Sequence, residues 1–164
     1  MMASTHIALG AASGVLAANL LGAGVEQATL LVAGGVLGSL LPDIDHPASA
    51  FGQRVPFLSL PLSTIFGHRG ITHSLIAVVG MAALIWYALN RLDWHPGYSV
   101  PFVVGVAAGY LSHLAGDWLT NSGVPLLWPN RRRFAAPLRI DTGSAIEYAL
   151  AAVAWAWVAL RLIP

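Results

Sequence analysis

Six histidines and seven acidic residues stand in a chain without cysteine. Any metal this protein holds is therefore bound by imidazole and carboxylate, a donor set suited to Zn, Mn or Fe. Their spacing is suggestive. His113-Leu-Ala-Gly-Asp117 puts an imidazole and a carboxylate at i and i+4, about one turn apart on one helical face. Such a pair can hold one cation jointly. Pro42-Asp43-Ile44-Asp45-His46-Pro47 compresses three candidate ligands into a proline-bounded turn. If that turn is extended, alternate positions point the same way, so Asp43 and Asp45 can share one ion or bridge two. His68-Arg69-Gly70-Ile71-Thr72-His73 adds two imidazoles, with Thr72 a possible cap for the helix that follows. The candidate metal ligands are His6, Asp43, Asp45, His46, His68, His73, His113 and Asp117. One tetrahedral site takes about four ligands. The set suffices for two ions, or for one ion with the outer hydrogen-bonding partners that hold ligands in place.

Each of these residues also has a plainer reading. Asp43 can serve a turn, and His113 with Asp117 can form a structural pair. His68 reads equally as a ligand or as a group facing a substrate. Glu147 divides between a capping carboxylate and a functional acid, because Ser144-Ala-Ile-Glu147 has capping-box spacing. Asp141 reads as a loop residue or a partner for Arg139. Arg69, between two candidate ligands, is the best contact for an anionic group, since guanidinium binds phosphate through paired hydrogen bonds.

Something must bring these scattered groups together, and composition says what. Hydrophobic residues make up 57% of the 164-residue chain and charged residues only 9%, against ~25% charged in ordinary soluble domains. Mean hydropathy is +0.70. So few charges cannot cover a water-facing surface, and lipid is the natural solvent. Net charge is +1 with no lysine, which gives a nucleic-acid partner no bulk support. The N-terminus lacks the basic segment of a signal peptide, so the first apolar run is expected to be a retained span, capped by Ser4 or Thr5.

The expected fold is an all-α polytopic bundle, a single domain over residues 1–164, with about five spans. They run from about Thr5 to Ala23, Gln27 to Leu41, His73 to Leu89, Ser99 to Leu119 and Ser144 to Ile163. The second is short unless it extends into the turn. Glycines four apart (Gly10 and Gly14, Gly34 and Gly38, Gly105 and Gly109) let helix backbones approach closely in lipid. The segment Val55 to Phe66 is too short to span, and its prolines argue against a regular helix. It is expected to be re-entrant or interfacial.

Five spans place the N-terminus and both long loops on one face. His6, His46, His68, His73 and His113 all reach that face, and His95 falls opposite. Ionisable groups inside membrane segments are costly and usually functional. Six arginines (Arg54, Arg69, Arg131, Arg132, Arg133 and Arg139) share that face, against Arg91 and Arg161. The bias predicts a cytoplasmic site. The triplet Arg131 to Arg133 reads as a topogenic or head-group patch.

At these residues the chain resembles the YdjM-like inner-membrane proteins described as membrane-bound metal-dependent hydrolases. The resemblance covers nearly the whole chain. It rests on Thr5-His6, Leu41-Pro-Asp-Ile-Asp-His-Pro47, His68-Arg-Gly-Ile-Thr-His-Ser74 and Gly109-Tyr-Leu-Ser-His-Leu-Ala-Gly-Asp117, with Thr142-Gly-Ser144 and Glu147 adding weakly. More distantly the chain is similar to zinc-dependent phospholipase C enzymes. The resemblance implies an integral protein of a bacterial or archaeal cytoplasmic membrane with one or two divalent ions, Zn before Mn or Fe. It implies hydrolysis of a phosphoester in a lipid or lipid-linked substrate. In that scheme Arg69 steadies the anion and Asp45 or Glu147 acts as general base or acid. The rival expectation is a metal-ion transporter or sensor, which needs polar groups at the bilayer midplane. A scaffold whose polar cluster only joins helix ends is a further rival. Oligomeric state is left open.

Overall fold

Helix boundaries follow from the residues that stop and start them. A computed structural model describes residues 1–49, 52–66 and 69–162. Among these residues there are six α-helices: α1 (Ala3–Leu21), α2 (Val25–Gly38), α3 (Pro56–Phe66), α4 (Leu75–Arg91), α5 (Pro96–Trp118) and α6 (Ala145–Leu162). No strand occurs among the described residues, only the isolated bridges Val124 to Phe134 and Thr120 to Ile140 within the loop after α5. Gly22 takes the left-handed conformation at φ 59° and ends α1, and its neighbour Ala23 returns a hydrogen bond to the Ala18 carbonyl at 3.0 Å. Glycine carries no Cβ penalty there, so α2 can begin at Val25. Pro96 opens α5 at a position whose N–H has no helical partner anyway.

Among the described residues, three helical stretches are long and apolar enough to cross a membrane: Ala3–Leu21, Val25–Asp45 and Pro96–Trp118. The second reaches that length because the chain continues beyond α2 through a 3₁₀ turn at Pro42–Asp45, the extension its sequence requires. Helix α4 is apolar but shorter, at 17 residues. It packs on α5, and α6 packs on α1. The expected all-helical, membrane-spanning fold holds.

The core of the bundle is α2 against α5, with α1 laid across both. Small residues make this possible. A Cβ added at Gly109 would lie 1.9 Å from the Gly35 carbonyl oxygen, and one at Gly38 would lie 2.1 Å from that of Val106. No side chain fits there, so the two backbones touch. Large apolar side chains such as Leu20, Val79, Tyr87, Val153 and Leu160 point outward and are exposed, as lipid-facing surfaces require.

Two local expectations are corrected. The segment with Pro56 and Pro61 is an α-helix after all. Pro56 sits at its first position, where proline is well tolerated, and Pro61 removes only the bond to the Phe57 carbonyl. Helix α1 has no side-chain cap: Met2 is the N-cap, and Ser4 and Thr5 already lie inside the helix.

Candidate metal centre

The helix ends meet where the polar residues fall. His6 lies in the first turns of α1, and Asp43 and Asp45 lie in the 3₁₀ turn after α2. His73 ends a 3₁₀ turn (Ile71–His73) just before α4, and His113 and Asp117 lie in the last turns of α5. His6, Asp45, His73, His113 and Asp117 are all at most 1% exposed. Five ionisable side chains buried at one end of a bundle are expensive unless they serve each other or an ion.

The arrangement is close and specific. Nε2 of His73 and Nε2 of His113 are 3.4 Å apart. Oδ1 of Asp43 lies 3.7 Å from each of them. Oδ2 of Asp117 lies 3.6 Å from the first and 3.7 Å from the second. Ligand atoms around a tetrahedral Zn with bonds of about 2.0–2.2 Å are about 3.3–3.6 Å from one another. The two Nε2 atoms, and each carboxylate oxygen relative to them, stand at nearly that separation. His6 stacks on His113 with ring centroids 3.6 Å apart, and its Nε2 is 3.4 Å from Oδ1 of Asp117. The donors form two overlapping groups with the geometry to hold a metal ion: His6, Asp43 and His113, and His73, His113 and Asp117.

Hydrogen bonds decide which nitrogens face inward. Nδ1 of His113 is 2.7 Å from the Ser39 carbonyl oxygen, which can only accept. That fixes the proton on Nδ1 and leaves a lone pair on Nε2. Oδ2 of Asp117 is buried, and its charge partner is Nη2 of Arg69 at 2.8 Å. A buried carboxylate oxygen beside two imidazole nitrogens is the residue chemistry a divalent cation fits.

Other contacts set the surroundings. The amino nitrogen of Met1 donates to Oδ1 of Asp117 at 2.7 Å. Arg69 sits in the left-handed region at φ 61°, held by its own N–H to Oδ2 of Asp45 at 3.1 Å. Its Nη1 reaches the Gly123 carbonyl at 3.4 Å, which ties the loop after α5 to the cluster. Asp43 and Arg69 open to the exterior, with side chains 20% and 13% exposed. A cleft of about 560 Å³ lies elsewhere, between α1 and α2 beside Arg161. It holds no member of the cluster.

Of the expected ligands, His6, Asp43, His73, His113 and Asp117 are brought together. Asp45 stands behind His73 and belongs to neither metal group. His46 is half-buried at the end of its turn, also outside both groups. His68 lies outside the described residues. Glu147 accepts from the Met2 and Gly143 amides at 2.6 and 2.7 Å, while Ser144 Oγ accepts from the Glu147 N–H at 3.3 Å. This is capping chemistry, and it also ties the start of α1 to α6. Asp141 is exposed and accepts from Asn121 rather than pairing with Arg139. Thr72 is not the cap of α4. Ser74 is, accepting from the Ala77 N–H at 3.4 Å. Sequence reasoning did not anticipate the Ser39 carbonyl, because a backbone acceptor leaves no mark on residue type. It read Thr72 only as a cap, although its place beside His73 hinted at more. His95 is exposed at the opposite end, where its Nδ1 caps α5.

Comparison with known proteins gives this site its context. A family model described as YdjM inner membrane protein matches residues 1–163. The inner membrane protein YdjM of Escherichia coli is 41% identical over 130 residues, covering 77% of this chain and 64% of that protein. The protein YvsG of Bacillus subtilis is 35% identical over 147 residues, covering 90% of this chain and 85% of its own length. The inner membrane protein YbcI of Escherichia coli is 32% identical over 123 residues, covering 73% and 65%. The chain thus spans under two thirds of the E. coli YdjM protein it matches. The names of the two E. coli proteins speak of membrane location, and none of the three speaks of zinc-dependent phospholipase C. No solved structure matches the chain.

Proposed function

Because the chain belongs to the YdjM inner membrane protein family and carries this buried donor cluster, we propose that it is a membrane-bound metal-dependent hydrolase. Its substrate is a phosphoester in a lipid or lipid-linked molecule at the cytoplasmic interface. The observation that carries the reading is the pair of Nε2 atoms 3.4 Å apart, with two carboxylate oxygens within 3.7 Å of both.

His73, His113, Asp43 and Asp117 would hold a divalent ion, Zn or else Mn or Fe, with His6 as the adjoining donor. The ion would supply Lewis acidity, activating water near neutral pH and offsetting charge on phosphoryl oxygens. The remaining roles belong to side chains. Arg69, paired with Asp117 and partly exposed, orients an anionic group at the opening. Asp43 is the cluster carboxylate with the most exposure and accepts the proton that the attacking water gives up. Oδ2 of Asp45 and both oxygens of Glu147, the residues expected in that role, accept from neighbouring donors. They position other groups.

The depth of the cluster favours this reading over transport. Its α5 members, His113 and Asp117, lie in the last turns of a helix that ends at Trp118. A carrier would need such groups near the midplane. The test is elemental analysis of the purified protein, followed by incubation with a panel of phospholipids and lipid phosphates. About one bound divalent ion per chain and product release that stops on chelation are expected. Release that survives chelation overturns the reading.

A further inference from the structure

Thr72 lies between two groups the mechanism has not joined. Its Oγ1 donates to Oδ2 of Asp45 and stands 3.1 Å from Nδ1 of His73. A hydroxyl has one hydrogen, and an ionised carboxylate can only accept. The Thr72 proton is therefore spent on Asp45, and the bond to His73 runs the other way, with Nδ1–H donating to Oγ1. Nδ1 of His73 lies 3.6 Å from Oδ2 of Asp45, too far for a direct hydrogen bond. The hydroxyl bridges them.

We propose that Thr72 and Asp45 form a positioning relay that holds His73 in its Nδ1–H tautomer, presenting an Nε2 lone pair to the cation. The relay rests on the metal reading for its purpose, and on hydrogen-bond geometry for its existence. Asp45 thereby acts through His73 and not as a ligand.

The relay is itself well held. Thr72, Asp45 and His73 are 8%, 1% and 0% exposed, so water does not compete for these bonds. The Tyr110 hydroxyl donates to the Thr72 carbonyl at 2.6 Å and so anchors the turn to α5. The Arg69 N–H donates to the same Asp45 oxygen at 3.1 Å, so one carboxylate fixes both the ligand and the residue offered to substrate. On the other side of the centre the Ser39 carbonyl performs the equivalent task for His113. The two histidines that face each other are oriented by different devices, one side-chain and one backbone. Only the first can be removed by mutation.

Two measurements separate the relay from the reading it serves. In histidine-labelled protein in detergent micelles, stripped of metal, long-range ¹H–¹⁵N correlation spectra report the tautomer of His73. The Nδ1–H form is expected in the wild type and in Thr72→Ser, and its loss in Thr72→Val. Zn affinity, measured by competition with a chromophoric chelator, should fall about 10–100-fold in Thr72→Val and recover in Thr72→Ser. Combining Thr72→Val with Asp45→Asn should cost no more than the larger single change. A His73 Nε2–H tautomer in the wild type overturns the relay, as does Thr72→Val with wild-type affinity, or a double variant whose losses multiply. Wild-type protein with the Nδ1–H tautomer but no Zn binding would refute the metal reading and leave the relay standing.

Discussion

Single residues carry the chemistry, and they differ in what their loss should do. His113 has no slack: one nitrogen is committed to the Ser39 carbonyl and the other to the centre. His113→Ala or Asp117→Ala should abolish stoichiometric metal, read by elemental analysis, and hydrolysis with it. Full metal in both variants would sink the ligand assignment. Glu147 should behave differently. Its carboxylate binds the Met2 and Gly143 amides, so Glu147→Ala orphans buried donors and should destabilise the fold by about 1–3 kcal/mol. Thermal unfolding in detergent would show that loss, with metal content retained. At this scale the sequence was informative about residue type but not about rank. The Asp43-Ile-Asp45-His46 run offered three candidates, with the plain turn reading strongest for Asp43. A 3₁₀ turn then sent Asp43 to the centre and left Asp45 behind His73 and His46 outside both groups. Side-chain direction in a tight turn depends on dihedral angles that residue identity does not encode.

Helices supply the positions, and their closeness depends on what is missing. Gly35 and Gly109 allow α2 and α5 to meet backbone to backbone. That contact brings the end of α2, with Ser39 and the Asp43 turn, alongside His113. Gly109→Ala forces a Cβ into the Gly35 carbonyl, 1.9 Å away, and the helices must part. The expected cost is about 1–3 kcal/mol of stability, measured by thermal unfolding, together with weaker metal binding. A variant with unchanged melting and affinity would show that the helix spacing does not set the site. The glycine pairs four apart were visible in sequence and pointed to this packing. Helix α3 was not, because prolines at positions 56 and 61 suggested a break. Their actual cost is one backbone hydrogen bond, which a helix of 11 residues tolerates.

Across the whole molecule, the cluster occupies one end of the bundle and the turns at Gly22–Gly24 and Leu92–His95 the other. The arginine bias predicts that the cluster end is cytoplasmic. The chain has no cysteine, so single replacements can test this directly. Leu138→Cys and Leu92→Cys place thiols at exposed positions, 81% and 74% accessible, on opposite ends. A membrane-impermeant maleimide should label the first only in inside-out vesicles and the second only in intact spheroplasts. The reverse pattern would put the site outside. The gathering of the polar residues at one end of the bundle was the most legible part of the sequence, because His6, Asp43, His73, His113 and Asp117 all fall near helix ends. The inward-facing nitrogens were the least legible, since they depend on which neighbours come within 3 Å.

The donors come from four separated stretches: the start of α1, the turn after α2, the turn before α4 and the end of α5. This has a consequence for biogenesis. A nascent chain that has emerged only as far as α4 carries His6, Asp43 and His73 but neither member of the pair that closes the centre. Under the proposed metal reading, ion capture would wait until α5 has entered the bilayer and docked on α2, and metal loading would be a late checkpoint in maturation. On that reading, a chain stalled before Asp117 would be inserted but empty, and so distinguishable by its metal content from one that has finished.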